Sequence, residues 1–288
     1  MGRRRFDPID WLIRIVITVL VLLCILPFLH VFATSISSNA SVMARNVRFL
    51  PIGVNLDAYR TILRDASMIR SLYMTVYYTV AFTAVGMILT ILAAYPLTKK
   101  KLWGRNFFLM LFVITLYFSA GLIPEYLLVH SLGMLNTPWS IILPLALSPY
   151  NLILLKTSFQ SIPESLEESA FVDGCSHFGI LTRIVLPLSM PILATLILFY
   201  AVGRWNAYQD ALFYLTKSQL YPLQLKLYNL VNSSGEAEQI AQEAGVVPVS
   251  QEVLKPASIM FATIPILLIY PFVQKYFVKG VMIGAVKG

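Results

Sequence analysis

Residues 161–187, SIPESLEESAFVDGCSHFGILTRIVLP, form a polar stretch between two long apolar runs and carry the signals of a short, well-delimited helix. Ser161 and Glu164 stand at the spacing of a capping box, and Pro163 falls in the first turn, where proline is tolerated. Acidic residues near the start complement the positive end of the helix dipole. Gly174 provides a C-terminal stop. The pattern therefore predicts a capped helix that ends at Gly174.

One face of this predicted helix is narrow and flanked by carboxylates. It carries Leu166, Ala170 and Asp173 at the spacing i, i+4, i+7. Residues 175–187 follow as a second, short amphipathic piece that turns back toward the next apolar run. A loop that only connects two helices needs no such signals, so we expect residues 161–187 to have a function of their own.

The composition of the whole chain is that of a membrane protein. Hydrophobic residues make up 58% of the 288 residues, charged residues only 12%, and the mean hydropathy is +0.74. Soluble domains have roughly 45–50% apolar and about 25% charged residues, so a soluble enzyme and a disordered chain are both excluded. The net charge of +8 indicates loop lysines and arginines that orient helices in a bilayer, and nucleic acid is not expected as a partner.

Six apolar runs are long enough to cross a bilayer, which takes about 20 mainly apolar residues in a helix. Prolines inside these runs are compatible with helices, because neighbouring spans can satisfy the freed backbone groups. We therefore predict an all-α, polytopic bundle that forms a single transmembrane domain over residues 1–288. Its spans are expected at residues 11–34, 71–97, 106–129, 139–158, 191–215 and 258–277.

Lysine and arginine favour cytoplasmic loops and so orient the bundle. Residues 3–5, all arginine, place the N-terminus in the cytoplasm. With six spans, the basic turn 99–105 and the C-terminal tail, with lysines at 275, 279 and 287, also fall inside. The remaining long connections are a cytoplasmic loop and two outer loops, at residues 159–190, 35–70 and 216–257. The outer loop 35–70 contains several arginines, against the rule, and is long enough to bind a partner.

A family resemblance lies in the polar stretch. Glu168-Ser169-Ala170, then Gly174, then residues 184–187 (IVLP) resemble the EAA motif of binding-protein-dependent ABC importer permeases. Ser169 stands where that motif usually has a second alanine, and both residues are small. Further segments are similar to carbohydrate permeases of the maltose-transporter class, in particular to polysaccharide-fragment or lipoprotein-associated permeases: 121–129 (GLIPEYLLV), 132–137 (LGMLNT), 203–208 (GRWNAY), 220–224 (LYPLQ) and 280–288 (GVMIGAVKG).

The resemblance implies the fold of a type I ABC importer permease in a bacterial plasma membrane, with both termini cytoplasmic. It also implies a second, related permease, two copies of a cytoplasmic ATPase, an extracytoplasmic solute-binding protein, an oligosaccharide substrate and contact with membrane lipid. In such a complex the EAA helix docks in a cleft of the ATPase and couples its closure to the membrane helices. The coupling residues implied are Glu168, Ala170, Asp173 and Gly174, with Leu186 and Pro187 shaping the return into the bilayer.

The chain contains no GxxxxGK[ST] phosphate loop. We therefore expect ATP and Mg²⁺ to be bound by the partner ATPase, with no cofactor in this chain, which would be a non-catalytic subunit. The histidines His30, His130 and His177 are scattered, so no metal site is predicted. An intramembrane enzyme is disfavoured, because no Ser-His or paired-Asp constellation lies within the spans.

Arg204 is a charge within the fifth predicted span, where a charged side chain is costly and should face a cavity or a partner. One hypothesis is that it helps acidic, uronate-containing oligosaccharides to pass, because a guanidinium pairs bidentately with a carboxylate. The alternative is a structural ion pair with Asp210 or with the partner permease. The residues that follow it, Trp205, Asn206 and Tyr208, offer aromatic faces and an amide suited to sugars, and join Arg204 as predicted pathway residues.

Other interpretations stay open beside the oligosaccharide importer. A permease of the same mechanism for a non-sugar solute would have the same coupling loop. An ion-coupled secondary transporter should show intramembrane carboxylates and internal repeats, and neither is apparent in the sequence. Glu125, near the outer end of the third predicted span, is interpreted as part of a solvated rim.

Overall fold

The computed structural model describes residues 8–232 and 250–285, and within them the chain folds into helices without a strand. The prediction of an all-α fold is confirmed. The arginines at 3–5, the outer-loop residues 233–249 and Lys287 lie outside the described residues. The orientation of the termini, which rests partly on those residues, stays a prediction.

The helices differ widely in length, from single turns to long rods. In chain order they are α1 (Pro8–Ser35), α2 (Asn39–Met43), α3 (Asp57–Arg64), α4 (Ala66–Thr98), α5 (Arg105–Tyr117), α6 (Leu122–Ser131), α7 (Trp139–Ile142), α8 (Pro149–Gln160), α9 (Glu164–Val172), α10 (His177–Ile180), α11 (Leu186–Leu188), α12 (Met190–Asn206), α13 (Gln209–Tyr214), α14 (Leu223–Asn232) and α15 (Gln251–Ala285). A π-helical turn, Leu181–Val185, joins α10 to α11, and a 3₁₀ turn, Ser218–Leu220, precedes α14.

Among the described residues, three helices are long and apolar enough to cross a membrane by themselves, and five spans result if each of two bent helix pairs counts as one. The three are α1, α4 and α15, which contain the predicted spans 11–34, 71–97 and 258–277. The six-span count is not confirmed. The other three predicted spans are interrupted helices, so apolar length alone did not reveal where they break.

The predicted span 106–129 is bent sharply. Helices α5 and α6 meet at an angle of 118° across residues 118–121. Gly121 has φ +86°, a conformation that residues with a Cβ rarely adopt, and its N–H donates to Ser119 Oγ at 3.1 Å. The local sequence thus provides both a glycine that can adopt the required φ and a hydroxyl that accepts the backbone N–H of that glycine.

The predicted span 139–158 is not a continuous helix. α7 has four residues, and α8 begins only at Pro149, after the N-cap Ser148, whose Oγ accepts the Asn151 N–H at 3.3 Å. Pro144 lacks an N–H, and Leu145 has a positive φ of 58°, so the helix cannot run through this segment. The predicted span 191–215 is likewise interrupted, because α12 ends at Asn206 and α13 begins at Gln209.

The internal contacts divide the chain into two compact units. One unit extends to Ile69 and includes Leu227–Pro265, and the other comprises Arg70–Lys226 together with the residues from Ile266 onward. In the first unit, the Ser250 N–H donates to Asn39 Oδ1 at 3.1 Å. α4 and α15 each contribute residues to both units. The single domain predicted over residues 1–288 stays a prediction.

The core of the second unit is built on a close approach to α4. A Cβ at Gly86 would lie 2.7 Å from the Ala146 carbonyl oxygen and 2.9 Å from the Tyr200 ring, so only glycine fits there without a shift. The Tyr200 hydroxyl lies 2.7 Å from Thr90 Oγ1 and accepts the Ser148 N–H at 3.0 Å. One buried side chain of α12 thus ties α4 to the break before α8.

Candidate translocation cavity and coupling loop

A cavity of about 1340 Å³ lies in the second unit, where the breaks between α5 and α6, before α8, and between α12 and α13 come together. Seven of the residues that line it are aromatic: Phe82, Tyr150, Phe199, Tyr200, Tyr208, Phe213 and Tyr214. Four are uncharged and polar: Ser148, Asn151, Asn206 and Gln209. Its charged lining residues are Glu125, Arg204 and Asp210. Aromatic faces beside amides and carboxylates can stack on and hydrogen-bond to a ring that bears hydroxyls.

Arg204 forms a two-point ion pair with Asp210. Its Nη2 donates to Asp210 Oδ1 at 2.8 Å and its Nη1 to Asp210 Oδ2, while Nη1 also donates to the Ile141 carbonyl oxygen at 3.3 Å. The guanidinium carbon lies 5.6 Å from the centroid of the Phe82 ring. The Arg204 side chain is 5% exposed and that of Asp210 is 27% exposed. Of the alternatives considered from the sequence, the structure contains the pair with Asp210.

The helix break at 207–208 makes this pair possible. Ala207 is extended, with φ −77° and ψ 137°, so α13 starts in a new direction and carries Asp210 back to Arg204. Asp210 Oδ1 also accepts the Ala211 N–H at 2.9 Å at the start of α13. The carboxylate therefore satisfies both the guanidinium at the end of one helix and a free backbone donor at the start of the next.

Three of the four predicted pathway residues line the cavity: Arg204, Asn206 and Tyr208. Trp205 does not line it and is buried in the protein. A helix turns by about 100° per residue, so adjacent residues of α12 cannot all face one cavity. These residues are adjacent in the sequence, but helical periodicity separates Trp205 from its neighbours.

Glu125 is half-buried and lines the cavity, and its interpretation as part of a solvated rim stays a prediction. Because of the 118° bend at Gly121, the first turn of α6 points its residues toward α12 and α13. Among the described residues, the Glu125 carboxylate has no hydrogen-bond or ion-pair partner. With Arg204 neutralised by Asp210, this carboxylate is the uncompensated charge of the described lining.

Helix α9, the predicted coupling helix, begins differently from the prediction. Its N-cap is Pro163, without a side-chain hydrogen bond, and Ser161 Oγ instead donates to the Ser158 carbonyl oxygen at 2.7 Å. The predicted capping box between Ser161 and Glu164 is therefore wrong. The reason is that α8 extends to Gln160, so the Ser161 hydroxyl serves the end of that helix.

The C-terminal stop of α9 is confirmed. Gly174 has φ +81°; its N–H donates to the Phe171 carbonyl oxygen at 3.0 Å, and the next N–H, of Cys175, donates to the Ala170 carbonyl oxygen at 2.9 Å. This is the Schellman arrangement, in which a left-handed glycine satisfies the last carbonyl groups of a helix. A side chain at Gly174 would be strained by this φ, although open space surrounds the position.

The predicted coupling residues face two directions. Glu168, Asp173 and Gly174 are exposed, whereas Ala170 is buried in a core cluster of the second unit that includes Leu155, Ile180 and Leu196. The face predicted to hold Leu166, Ala170 and Asp173 together is therefore divided. Ala170 fixes the helix to its own chain, and the exposed residues are free to meet a partner.

Leu186 and Pro187 form part of α11, directly before a bend of 84° that leads into α12. Leu186 packs against the same core cluster as Ala170. Ser189, at the bend, donates its N–H to the Val185 carbonyl oxygen at 3.1 Å. Their predicted part in turning the chain back toward the membrane matches this position, and their part in coupling stays a prediction.

Two lysines that follow α4 form ion pairs with α9. Lys99 binds Glu167, and Lys100 Nζ lies 2.9 Å from Glu164 Oε1. The hydrogen bond from Lys100, supported by its charge, lowers the pKa of Glu164 below the ordinary carboxyl value. In the sequence these lysines indicate only orientation, because nothing in their spacing connects them to the acidic residues of the loop.

The three histidines lie in separate surroundings. His30 Nδ1 is 2.6 Å from the Arg48 carbonyl oxygen, His130 stacks on Tyr126, and His177 meets Phe171 edge to face. In the part of the chain that the structure describes, no group of three or more His, Cys, Asp or Glu residues is arranged to hold a metal ion.

Long apolar helices, interrupted spans and a cavity lined by aromatic residues are features of membrane transport proteins. The chain belongs to the family of binding-protein-dependent transport system inner membrane components, which it matches over residues 1–282. Two proteins of Bacillus subtilis (strain 168) are similar to it over most of their length. The polygalacturonan/rhamnogalacturonan transport system permease protein YtcP is 45% identical over 97% of this chain and 98% of its own. Protein LplC is 45% identical over 92% of this chain and 90% of its own.

A solved structure supports the same classification. One chain of a bacterial ABC transporter involved in the import of the acidic polysaccharide alginate is 33% identical to this chain, with a TM-score of 0.86. The match covers 96% of this chain and 99% of that one. The predicted family is therefore confirmed, and the chain is an ABC transporter permease.

Proposed function

We propose that this chain is one of two permease subunits of an ATP-driven importer for acidic oligosaccharides. The observation that carries the proposal is the aromatic and amide-lined cavity, in a chain 45% identical to a polygalacturonan/rhamnogalacturonan permease over nearly its whole length. The second permease completes the path, and an extracytoplasmic solute-binding protein delivers the sugar. The chain lies in the bacterial plasma membrane with both termini in the cytoplasm.

Sugar recognition in the cavity follows from the lining. The rings of Tyr150, Tyr208 and Tyr214 offer flat apolar faces for stacking, and Asn206 and Gln209 offer donors and acceptors for hydroxyl groups. The Glu125 carboxylate, which has no described hydrogen-bond or ion-pair partner, can accept two hydrogen bonds from neighbouring hydroxyls. These contacts suit a sugar backbone whether or not it carries a charge.

Two roles for Arg204 remain to be separated by experiment. A uronate carboxylate can reach the guanidinium by displacing Asp210, since both oxygens of Asp210 occupy it in the structure. Otherwise the pair is a permanent support of the helix break. In that case the cation that meets the uronate belongs to the partner permease, because Glu125 makes the described lining of this chain net negative.

ATP hydrolysis takes place on other subunits of the proposed complex. This subunit is non-catalytic, and ATP with Mg²⁺ is bound by two copies of a cytoplasmic ATPase. The exposed residues Glu168, Asp173 and Gly174 meet the ATPase, while Ala170 holds the helix on the membrane domain. Leu186 and Pro187 direct the return segment, so a displacement of the loop is passed on to α12.

Uptake measurements test the substrate class. Cells with and without this chain are offered a labelled galacturonate trisaccharide, a neutral galactose trisaccharide and a tripeptide. We expect the chain to be required for the acidic trisaccharide, and uptake to stop when cellular ATP is depleted but not when a protonophore collapses the proton gradient. Peptide uptake alone indicates the non-sugar permease, and uptake that follows the proton gradient indicates a secondary transporter.

Purification from native membranes tests the partners. A tagged chain in mild detergent should bring down a second permease and a P-loop ATPase, identified by mass spectrometry. Gly174→Asp, which strains the left-handed cap, and Glu168→Lys, which reverses an exposed charge, should weaken retention of the ATPase and leave the second permease bound. A chain that purifies alone, or ATPase recovery from both variants equal to that from the wild type, contradicts the coupling assignment.

A further inference from the structure

The cytoplasmic end of α4, in the proposed orientation, is joined to the coupling helix α9. Lys99, the residue after α4, forms an ion pair with Glu167, and its Nζ lies 4.4 Å from the centroid of the Tyr95 ring. The Lys99 and Glu167 side chains are 28% and 18% exposed. Salt and water screen a sheltered pair less than a surface pair, so this contact holds α9 firmly on the end of α4.

Little else of α9 contacts the rest of the core. Of the nine residues of this helix, all of them described, only Ala170 is buried. It belongs to the core cluster that contains Tyr95 and Phe159, whose rings meet edge to face with centroids 6.5 Å apart. Glu167 precedes Ala170 by three residues and so lies on the same face of the helix. The described contacts that hold α9 are therefore one buried methyl group and one sheltered ion pair, beside the exposed pair of Lys100 with Glu164.

The N-terminal half of α4 is bonded to the outer segment 218–223. The Tyr78 hydroxyl donates to the Leu220 carbonyl oxygen at 3.0 Å, and the Leu223 N–H donates to Thr75 Oγ1 at 2.7 Å. Thr75, Tyr78 and Leu223 are all buried. Both bonds are thus shielded from competing water, and a movement of α4 must carry this segment with it.

α4 is an unbroken helix of 33 residues that joins these two contact sites. At a rise of about 1.5 Å per residue, Thr75 and Thr98 are separated by about 35 Å. By contrast, α5 and α12 are each separated by a break from the helix that follows in the same predicted span, and α8 is separated by a break from α7 before it. α4 also contacts the cavity, through Phe82 in the lining and through Thr90, whose hydroxyl meets Tyr200.

We propose that α4 is the strut that transmits movement between the coupling helix and the outer segment, with the Lys99–Glu167 pair as its inner joint. The inference rests on the proposed function, because it needs an ATPase that moves α9. When the ATPase closes, α9 displaces the end of α4 through this pair, and α4 shifts the cavity wall and residues 218–223. Lys99 and Glu167 are positioning residues that act through α4.

A neighbouring ion pair provides a matched control. Lys100 and Glu164 also join the end of α4 to α9, but their side chains are 76% and 74% exposed. Exposed pairs contribute little, because water and salt screen them. Lys100→Met therefore removes a charge pair between the same two elements without loosening the joint.

The test uses the complete complex, purified with its solute-binding protein and reconstituted in lipid. ATP hydrolysis is measured without sugar and with the galacturonate trisaccharide. The rate with sugar divided by the rate without sugar reports how strongly sugar delivered by the solute-binding protein stimulates the ATPase. We expect Lys99→Met and Glu167→Gln to lower this ratio about fivefold, the smaller end of typical coupling between sites, while basal hydrolysis and subunit recovery stay as in the wild type. Lys100→Met should keep the wild-type ratio.

Exchange of the two charges distinguishes a contact that transmits movement from one that only supports the fold. Lys99→Glu combined with Glu167→Lys should regain most of the ratio that either reversal alone loses. Ratios for Lys99→Met and Glu167→Gln that equal that of Lys100→Met overturn the inference and leave the proposed function standing. A wild-type complex that no trisaccharide stimulates contradicts the proposed function and, with it, the inference.

Discussion

The loss of Asp210 should destabilise the protein more than the loss of its ion-pair partner Arg204. Asp210→Asn leaves a guanidinium whose side chain is 5% exposed without its counter-charge. The loss of one partner from a buried pair destabilises by about 3–5 kcal/mol. Asp210 is 27% exposed, which lets some water reach the site, so we expect about 3 kcal/mol, the low end of that range.

Arg204→Met should be milder. The carboxylate left behind is partly exposed and still accepts the Ala211 N–H at 2.9 Å, so we expect a loss of about 1–2 kcal/mol. The double variant Arg204→Met with Asp210→Asn has no unpaired charge at the break. It should be more stable than Asp210→Asn alone by at least about 1 kcal/mol, as expected for residues in direct contact.

The assay is thermal unfolding of the purified complex in detergent, followed by uptake of the acidic and neutral trisaccharides. The expected order of unfolding temperatures places Asp210→Asn lowest, Arg204→Met above it and the wild type highest. If the double variant is stable but loses acidic uptake selectively, Arg204 contacts the uronate; equal loss of both sugars assigns it to support of the helix break. Stability of Asp210→Asn equal to that of the wild type would refute the reasoning, because a buried charge cannot lose its partner without consequence.

Three further predictions concern the packing around α4 and the coupling loop. Gly86→Ala should destabilise by about 1–3 kcal/mol, because its Cβ would lie 2.7 Å from the Ala146 carbonyl oxygen; unchanged unfolding would mean that the helices separate freely there. Tyr200→Phe should lose about 2 kcal/mol, since its hydroxyl bonds to the buried Thr90 hydroxyl and to the half-buried Ser148 N–H, and a loss no larger than that of an exposed Tyr-to-Phe change would contradict this. The lowered pKa of Glu164 means that its pair with Lys100 stabilises above the ordinary carboxyl pKa and that this contribution is lost as the pH falls through the lowered value. The stability difference between the wild type and Glu164→Gln should therefore shrink on acidification below about pH 4 and in high salt, and an unchanged difference would show that the pair contributes nothing.

The membrane class and the coupling loop were predictable because they depend on local sequence. Long apolar runs specify α1, α4 and α15, since a helix that satisfies its own backbone is the form such a run takes in lipid. Gly174 ended α9 as predicted, because a left-handed cap requires the residue without a Cβ. Ser161 failed as a cap, because two neighbouring helices compete for the same hydroxyl and only their final lengths decide the outcome.

The sequence by itself determined the class of protein, through composition, span length and the spacing of the EAA-like motif. Tertiary structure alone decided which charges are free and which are paired. Arg204 and Asp210 meet because α12 breaks before Ala207, and Glu125 enters the cavity because the chain bends at Gly121. A linear pattern records which residues a helix contains, but the partner of a buried charge depends on where a break sends the next helix.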